Sequence, residues 1–138
     1  MRTPVSRTLL VLLLFYGAAS LVHFVHNAEY LADYPNMRAS WSRTDVYLAW
    51  FAMTAVGLVG LLLVVRGLQI PGLLLVVVYA GLGLDSLGHY LLAPMSAHSG
   101  AMNVTILVEV AAATVLLIET LRLVARQTMR SRSSAPDA

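Results

Sequence analysis

The chain has 138 residues, of which 59% are hydrophobic and 12% are charged, and its formal net charge is +2. A soluble globular domain is about half apolar and about a quarter charged, and a domain this small leaves much of its surface exposed. This composition excludes a soluble domain, a disordered chain and a coiled coil, and it predicts an integral membrane protein. Cysteine is absent, which excludes disulfides, thiolate metal sites and cysteine nucleophiles.

Four segments are long and apolar enough to cross a bilayer, which takes about 20 residues per helix. The predicted spans are residues 8–27, 46–65, 73–92 and 102–124. The sequence therefore predicts an all-α, integral membrane four-helix bundle that occupies residues 1–126. The remaining residues, 127–138, are rich in arginine and serine and are predicted to form a disordered cytoplasmic tail.

The distribution of arginine predicts the orientation of the bundle. All nine basic residues are arginine, and the first and third loops hold only Arg38 and Arg43. The positive-inside rule then places the N- and C-termini in the cytoplasm, in a plasma (inner) membrane, with the first and third loops outside. Aromatic residues near the outer ends of the spans are typical of an interfacial belt: Tyr30, Tyr34, Trp41, Tyr47, Trp50 and Tyr90.

Ionisable residues from three of the spans gather in the predicted outer half of the protein. At about 1.5 Å per residue, Asp85 and Glu109 lie on the order of 10 Å below the outer boundary. A charge in hydrocarbon costs about 2.5–3.5 kcal/mol, so we expect both carboxylates to point inward and meet histidines. Asp85 and His89 are spaced to share one face of an α-helix. The cluster consists of His23, His26, Asp85, His89, His98 and Glu109.

Imidazole and carboxylate groups together are typical ligands of zinc, iron and manganese. We therefore expect these six residues to bind a transition metal in an outward-facing chamber. In a catalytic version the metal activates a water molecule for chemistry on a membrane-associated substrate, with Asp85 or Glu109 as the candidate general base and Ser86 as a positioning hydroxyl. Copper is an alternative metal, favoured by the soft ligands in and around the third loop: His89, Met95, His98 and Met102.

Two further interpretations stay open. One is a b-type haem protein in which His23 or His26 pairs with His89 as the axial ligands. The other is a metal-free scaffold or accessory subunit, in which the polar cluster only fixes the packing of the helices. Glycines on the second and third spans favour close approach of helices in that case: Gly57, Gly60, Gly81 and Gly83. The expected partners are membrane lipid and either a membrane protein complex or a second copy of the chain, with no nucleic acid.

The first loop, residues 29–45, is the longest loop of the chain and carries Glu29, Asp33 and Trp41. Long loops in compact proteins often carry function. We expect this loop either to fold over the chamber as a lid or to form a hairpin at the membrane interface.

Overall fold

A computed structural model describes residues 5–133, and it is all-helical, with 85% of residues in helix. Its helices are α1 (Arg7–Glu29), α2 (Arg43–Val65), α3 (Gln69–Leu82), α4 (His89–Leu92) and α5 (Gly100–Ser133). Short 3₁₀ segments lie at Leu31–Asp33, Gly83–Gly88 and Met95–Ala97. Arg2 and the last five residues of the predicted tail lie outside the described residues.

Four stretches of this structure are long and apolar enough to cross a membrane, as the sequence predicts: Arg7–Glu29, Arg43–Val65, Gln69–Leu92 and Gly100–Arg130. The second begins three residues before the predicted position because Ser42 forms a capping box with Asp45. The Ser42 hydroxyl accepts from the Asp45 N–H at 3.2 Å, and the Asp45 carboxylate accepts from the Ser42 N–H at 2.9 Å.

The end of α5 differs from the prediction. We expected disorder from residue 127 onward, but α5 continues to Ser133. Arginine is a strong helix former, and cations near a helix C-terminus interact favourably with the helix dipole. The composition that indicates a disordered tail is therefore also compatible with an extension of the last helix.

The long helices form a ring: α1 packs mainly against α2 and α5, and α3 also packs mainly against α2 and α5. Glycine allows the closest of these approaches, between α2 and α3. A side chain at Gly60 or at Gly72 would lie within 3.0 Å of the other residue's carbonyl oxygen. Large apolar side chains on the outside of the ring remain exposed, among them Leu14, Phe51 and Leu58, which suits a surface that faces lipid.

The third span tightens from α-helix to 3₁₀-helix at Gly83. The Gly83 N–H bonds to the carbonyl of Ala80, three residues back, instead of continuing the four-residue pattern to Tyr79. The Tyr79 carbonyl is instead satisfied by the hydroxyl of Tyr16 on α1, which donates to it at 3.2 Å. Buried carbonyls need a donor, so this cross-helix hydrogen bond stabilises the tightened backbone.

This change in helix type decides which side chains of the third span face inward. A 3₁₀-helix has about three residues per turn, so positions three apart lie on one face. Gly83, Ser86 and His89 are accordingly all buried, whereas Asp85 is exposed. The structure therefore buries His89 and leaves Asp85 exposed, whereas the prediction, which assumed α-helical geometry through this segment, placed both side chains inward.

Gly83→Ala is expected to destabilise the fold. A methyl group there would collide with the buried ring and hydroxyl of Tyr16, and overpacking of this kind costs about 1–3 kcal/mol. Gly81→Ala is the matched control, since no atom lies within 4 Å of the added carbon. Thermal unfolding in detergent should show a lower midpoint for the first variant, and an unchanged or higher one for the second. Equal midpoints would contradict the packing described here.

Candidate functional site

A group of three buried side chains joins α1, the 3₁₀ segment and α5. Glu109 on α5 is completely buried, with 0% exposure. The Ser86 hydroxyl donates to its Oε2 atom at 2.5 Å, and Nε2 of His23 lies 3.7 Å from the same oxygen. We call Glu109, His23 and Ser86 the buried triad. The second carboxyl oxygen of Glu109, Oε1, has no hydrogen-bond partner within residues 5–133.

The hydrogen bonds around His23 identify its tautomer. The Thr105 hydroxyl donates to the carbonyl of Met102 at 3.0 Å, so its oxygen is left as an acceptor. Nδ1 of His23 lies 3.3 Å from that oxygen and therefore carries the donating proton. Nε2 then presents its lone pair to Glu109. The 3.7 Å between Nε2 and Oε2 is longer than a hydrogen bond, so the imidazole and the carboxyl group are close neighbours without a direct bond.

His89 is the second buried imidazole beside the triad. Its ring packs edge-on against the ring of His23, with 5.5 Å between the centroids. The side-chain amide of Asn27 donates to Nε2 of His89 at 3.3 Å. The other amide atom, Oδ1 of Asn27, is buried and has no hydrogen-bond partner in the described part of the chain.

The first loop folds over this group and places Tyr34 inside it. Tyr34 is 3% exposed, its hydroxyl lies 3.0 Å from Nδ1 of His26, and its ring lies 4.9 Å from that of His89. The Asn36 amide also donates to the carbonyl of Leu92 at 2.8 Å, which attaches the loop to the end of the third span. Of the two expected arrangements, the structure shows the loop folded over the bundle, and Tyr34 is buried there, although the sequence predicts it to lie in an interfacial aromatic belt.

Beneath this lid lies a cavity of about 450 Å³, which we call the lid cavity. It is bounded by α1, the start of α2, the third span and the loop. Its polar lining comes from His23, Asn27, Arg38, Asp85, Ser86 and His89, and its apolar lining includes Phe24, Trp41, Val46, Leu82, Leu91 and Leu92. Glu109 does not line the cavity but lies behind Ser86 and His23, so these two side chains connect it to the cavity.

The structure brings together three of the six predicted site residues, His23, His89 and Glu109, and separates the others. His26 turns toward Tyr34 and lines a different surface hollow. His98 lies outside α5; its Nδ1 donates to the Pro94 carbonyl at 3.1 Å, and its ring lies 6.2 Å from that of His89. Asp85 lines the lid cavity but makes no hydrogen bond or ion pair with any described residue.

A metal site is not assembled in this arrangement. Within residues 5–133, no three histidine, aspartate or glutamate side chains are placed so that they could hold one metal ion. The nearest approach to such a set is His23, Glu109 and His89, but Nε2 of His89 is occupied by the Asn27 amide. Ligation by all three therefore requires rotation of His89 and release of Asn27.

Four residues of the site were absent from the predicted ligand set: Asn27, Tyr34, Ser86 and Thr105. Asn27 follows His23 by one helical turn and Thr105 precedes Glu109 by one turn, so helical spacing was a usable signal for both. The inward position of Ser86 depends on the 3₁₀ geometry of its segment, which the sequence pattern does not indicate. No local pattern indicates that the Tyr34 ring enters the bundle, because that placement depends on the path of the loop.

Comparison with known proteins gives no match. No protein-family model fits the chain, and no curated protein or solved structure is significantly similar to it.

Tyr34 predicts a pH dependence of stability. Burial raises its pKa to about 12, above the value of about 10 for an unfolded tyrosine. The unfolded chain then releases this proton first, so the contribution is complete below about pH 10 and is lost as the pH rises toward 12. Tyr34→Phe should make stability fall less steeply over this interval, measured by chemical unfolding in detergent. The exposed Tyr30 provides the control: Tyr30→Phe should retain the wild-type slope, and an unchanged slope in Tyr34→Phe would contradict the burial.

Proposed function

We propose that this chain is an integral membrane protein that binds an amphiphilic molecule from the membrane in its lid cavity, with the buried triad available for proton transfer to that molecule. The four apolar helical stretches support insertion in a membrane. The positive-inside rule favours cytoplasmic termini and a lid that faces outward from a plasma (inner) membrane. Association with a larger complex or with a second copy of the chain stays a prediction.

The observation that carries this proposal is the two-sided character of the lid cavity. Ligand sites combine apolar walls with a few placed polar groups, and this cavity has polar side chains from α1 and the third span opposite apolar ones. Leu82 and Leu91, which line it, are also exposed on the outside of the bundle, Leu91 to 90%. A molecule with an apolar part can therefore enter from the lipid side while its polar part reaches the cavity.

The buried triad supports acid–base chemistry on a bound molecule. His23 lines the cavity, its Nδ1 is hydrogen-bonded to Thr105, and its Nε2 lies 3.7 Å from the Glu109 carboxyl group. A histidine held in one tautomer beside a carboxyl group can accept a proton and return it. Ser86 also lines the cavity, and since its proton is donated to Glu109, its oxygen is left as an acceptor for a ligand. His23 is therefore the candidate general base through Nε2, with Thr105 as the residue that orients the ring and Glu109 as the neighbouring carboxyl group that would compensate the added charge by ionising.

Filling the cavity tests the binding function. Ala49 of α2 lines the apolar wall, and Ala49→Phe should displace a bound molecule. Ala52→Phe is the control, because Ala52 lies one turn further along the same helix with its side chain exposed. We expect mass spectrometry of extracts from the purified protein to show about one retained amphiphile per chain in the wild type and in Ala52→Phe, and a loss in Ala49→Phe. Equal retention in all three, or none in the wild type, would contradict the proposal.

Transition-metal binding is the second candidate function. It is favoured by the proximity of two imidazoles and a buried carboxyl group from three helices, and by the unpartnered Oε1 of Glu109. Zinc, iron, manganese or copper would suit this donor set. For haem b, the space beside Gly83 is filled by the ring of Tyr16, so a porphyrin would require the helices to separate.

Elemental analysis of the purified, untagged protein in detergent tests the metal candidate. Metal binding predicts about one ion per chain, lost in a His23→Ala/His89→Ala double variant and retained in His26→Ala, whose side chain faces Tyr34. Iron with a Soret band would identify haem. If no metal is bound even after loading, the candidate is rejected, and the histidines act in the metal-free site or as a structural cluster.

A further inference from the structure

We propose that the polar part of the lid-cavity ligand is a zwitterionic phospholipid head group that carries a primary amine, as in phosphatidylethanolamine. This inference rests on the proposed binding function and names the class of molecule bound. The residues that carry it are Asp85, Asn27 and Arg38, none of which belongs to the buried triad.

The position of Asp85 favours a ligand with a positively charged group. It lies within the third membrane-crossing stretch, its side chain is exposed and lines the lid cavity, and it is unpaired with respect to every described residue. A carboxylate at membrane depth is costly unless it meets a partner of opposite charge or lines a polar cavity. A ligand ammonium group in the cavity supplies such a partner.

The position of Asn27 favours a ligand that also carries hydrogen-bond donors. The residue is only 8% exposed and lines the same cavity, and its Oδ1 atom has no hydrogen-bond partner among the described residues. A buried amide oxygen without a donor is unfavourable, because it has lost its hydrogen bonds to water. The cavity thus offers two acceptors, the Asp85 carboxylate and the Asn27 amide oxygen. A primary ammonium has three N–H donors that can serve both, whereas a quaternary choline ammonium has none.

Arg38 supplies the complementary site for an anionic group. Its side chain is exposed and lines the cavity from the lid, and it forms no ion pair with a described residue. Arg43, the other arginine of this region, is paired instead with Glu29. A guanidinium group suits phosphate oxygens because its donors match their geometry.

Two separate charges of opposite sign in one cavity favour the binding of a zwitterionic ligand. Asp85 and Arg38 do not form an ion pair with each other, so each is available to a ligand. A simple cation would be opposed by Arg38, and a simple anion by Asp85. A phosphate joined to an amine satisfies both, while the acyl chains lie along the exposed Leu82 and Leu91 at the lipid side.

The test compares phospholipids that share the same acyl chains and differ only in head group. Native mass spectrometry of the full chain in detergent would measure binding of phosphatidylethanolamine, phosphatidylcholine and phosphatidylglycerol. We expect the wild type to bind the ethanolamine lipid at least about tenfold more tightly than the other two, as expected for one charge-assisted hydrogen bond. Water-soluble phosphoethanolamine, offered as a competitor, should bind much more weakly because it lacks the acyl chains.

Variants assign the preference to single residues. Asp85→Asn should remove the preference for the ethanolamine lipid over the choline lipid. Arg38→Gln should lower the affinity for both of these lipids by a similar factor. Asp33→Asn and Arg43→Gln are the controls, since both residues are exposed and do not line the cavity. All four substitutions are at exposed positions, and unchanged thermal unfolding would confirm that the fold is intact.

The outcomes separate this inference from the proposed function. Equal binding of the ethanolamine and choline lipids, tightest binding of the glycerol lipid, or an unchanged preference in Asp85→Asn would overturn the head-group assignment, although lipid binding itself would stand. Equal affinity for soluble phosphoethanolamine would identify a water-soluble ligand and overturn the lipid assignment. Failure of every phospholipid to bind would overturn the head-group assignment, whereas the proposed function is overturned only if the purified wild type also retains no amphiphile in the Ala49→Phe comparison.

Discussion

At Gly83 the third span tightens from 3.6 to about three residues per turn, and the Tyr16 hydroxyl takes the carbonyl of Tyr79 that the α-helix no longer uses. The missing side chain at Gly83 leaves the space that the Tyr16 ring fills. The same tightening turns Ser86 and His89 inward. Without it, the Glu109 carboxyl would lose its hydroxyl donor and His23 would lose its neighbouring imidazole.

The chemistry of the interior follows from the need to keep Glu109 electrically neutral in an apolar bundle. Ser86 donates a hydrogen bond to it, and the His23 imidazole lies beside it at 3.7 Å. The first loop completes this environment, because Tyr34 covers the histidines and excludes water from one side. The lid therefore contributes both to the stability of the polar group and to the shape of the cavity.

The lid cavity has two electrostatic regions. Its deeper region is lined by uncharged donors and acceptors backed by Glu109, whereas Asp85 and Arg38 place opposite charges in its more exposed region. This division separates recognition from chemistry: the exposed charges are suited to selecting a head group, and the buried triad is suited to moving a proton. A ligand that spans both regions would also lie against the exposed apolar side chains of Leu82 and Leu91.

The sequence by itself determined four helices that are long and apolar enough to cross a membrane, and the inward position of His23, His89 and Glu109, because long apolar runs need helices and buried charges need partners. It did not determine that Asp85 is exposed while His89 is buried. That difference follows from the 3₁₀ geometry, which is stabilised by a hydrogen bond from Tyr16 to the carbonyl of Tyr79, 63 positions later in the chain. Nor did it place Tyr34, whose burial depends on the path of the loop across the bundle. Local periodicity fixes the helices, whereas the cavity arises from contacts between residues far apart in the chain, which only the tertiary structure decides.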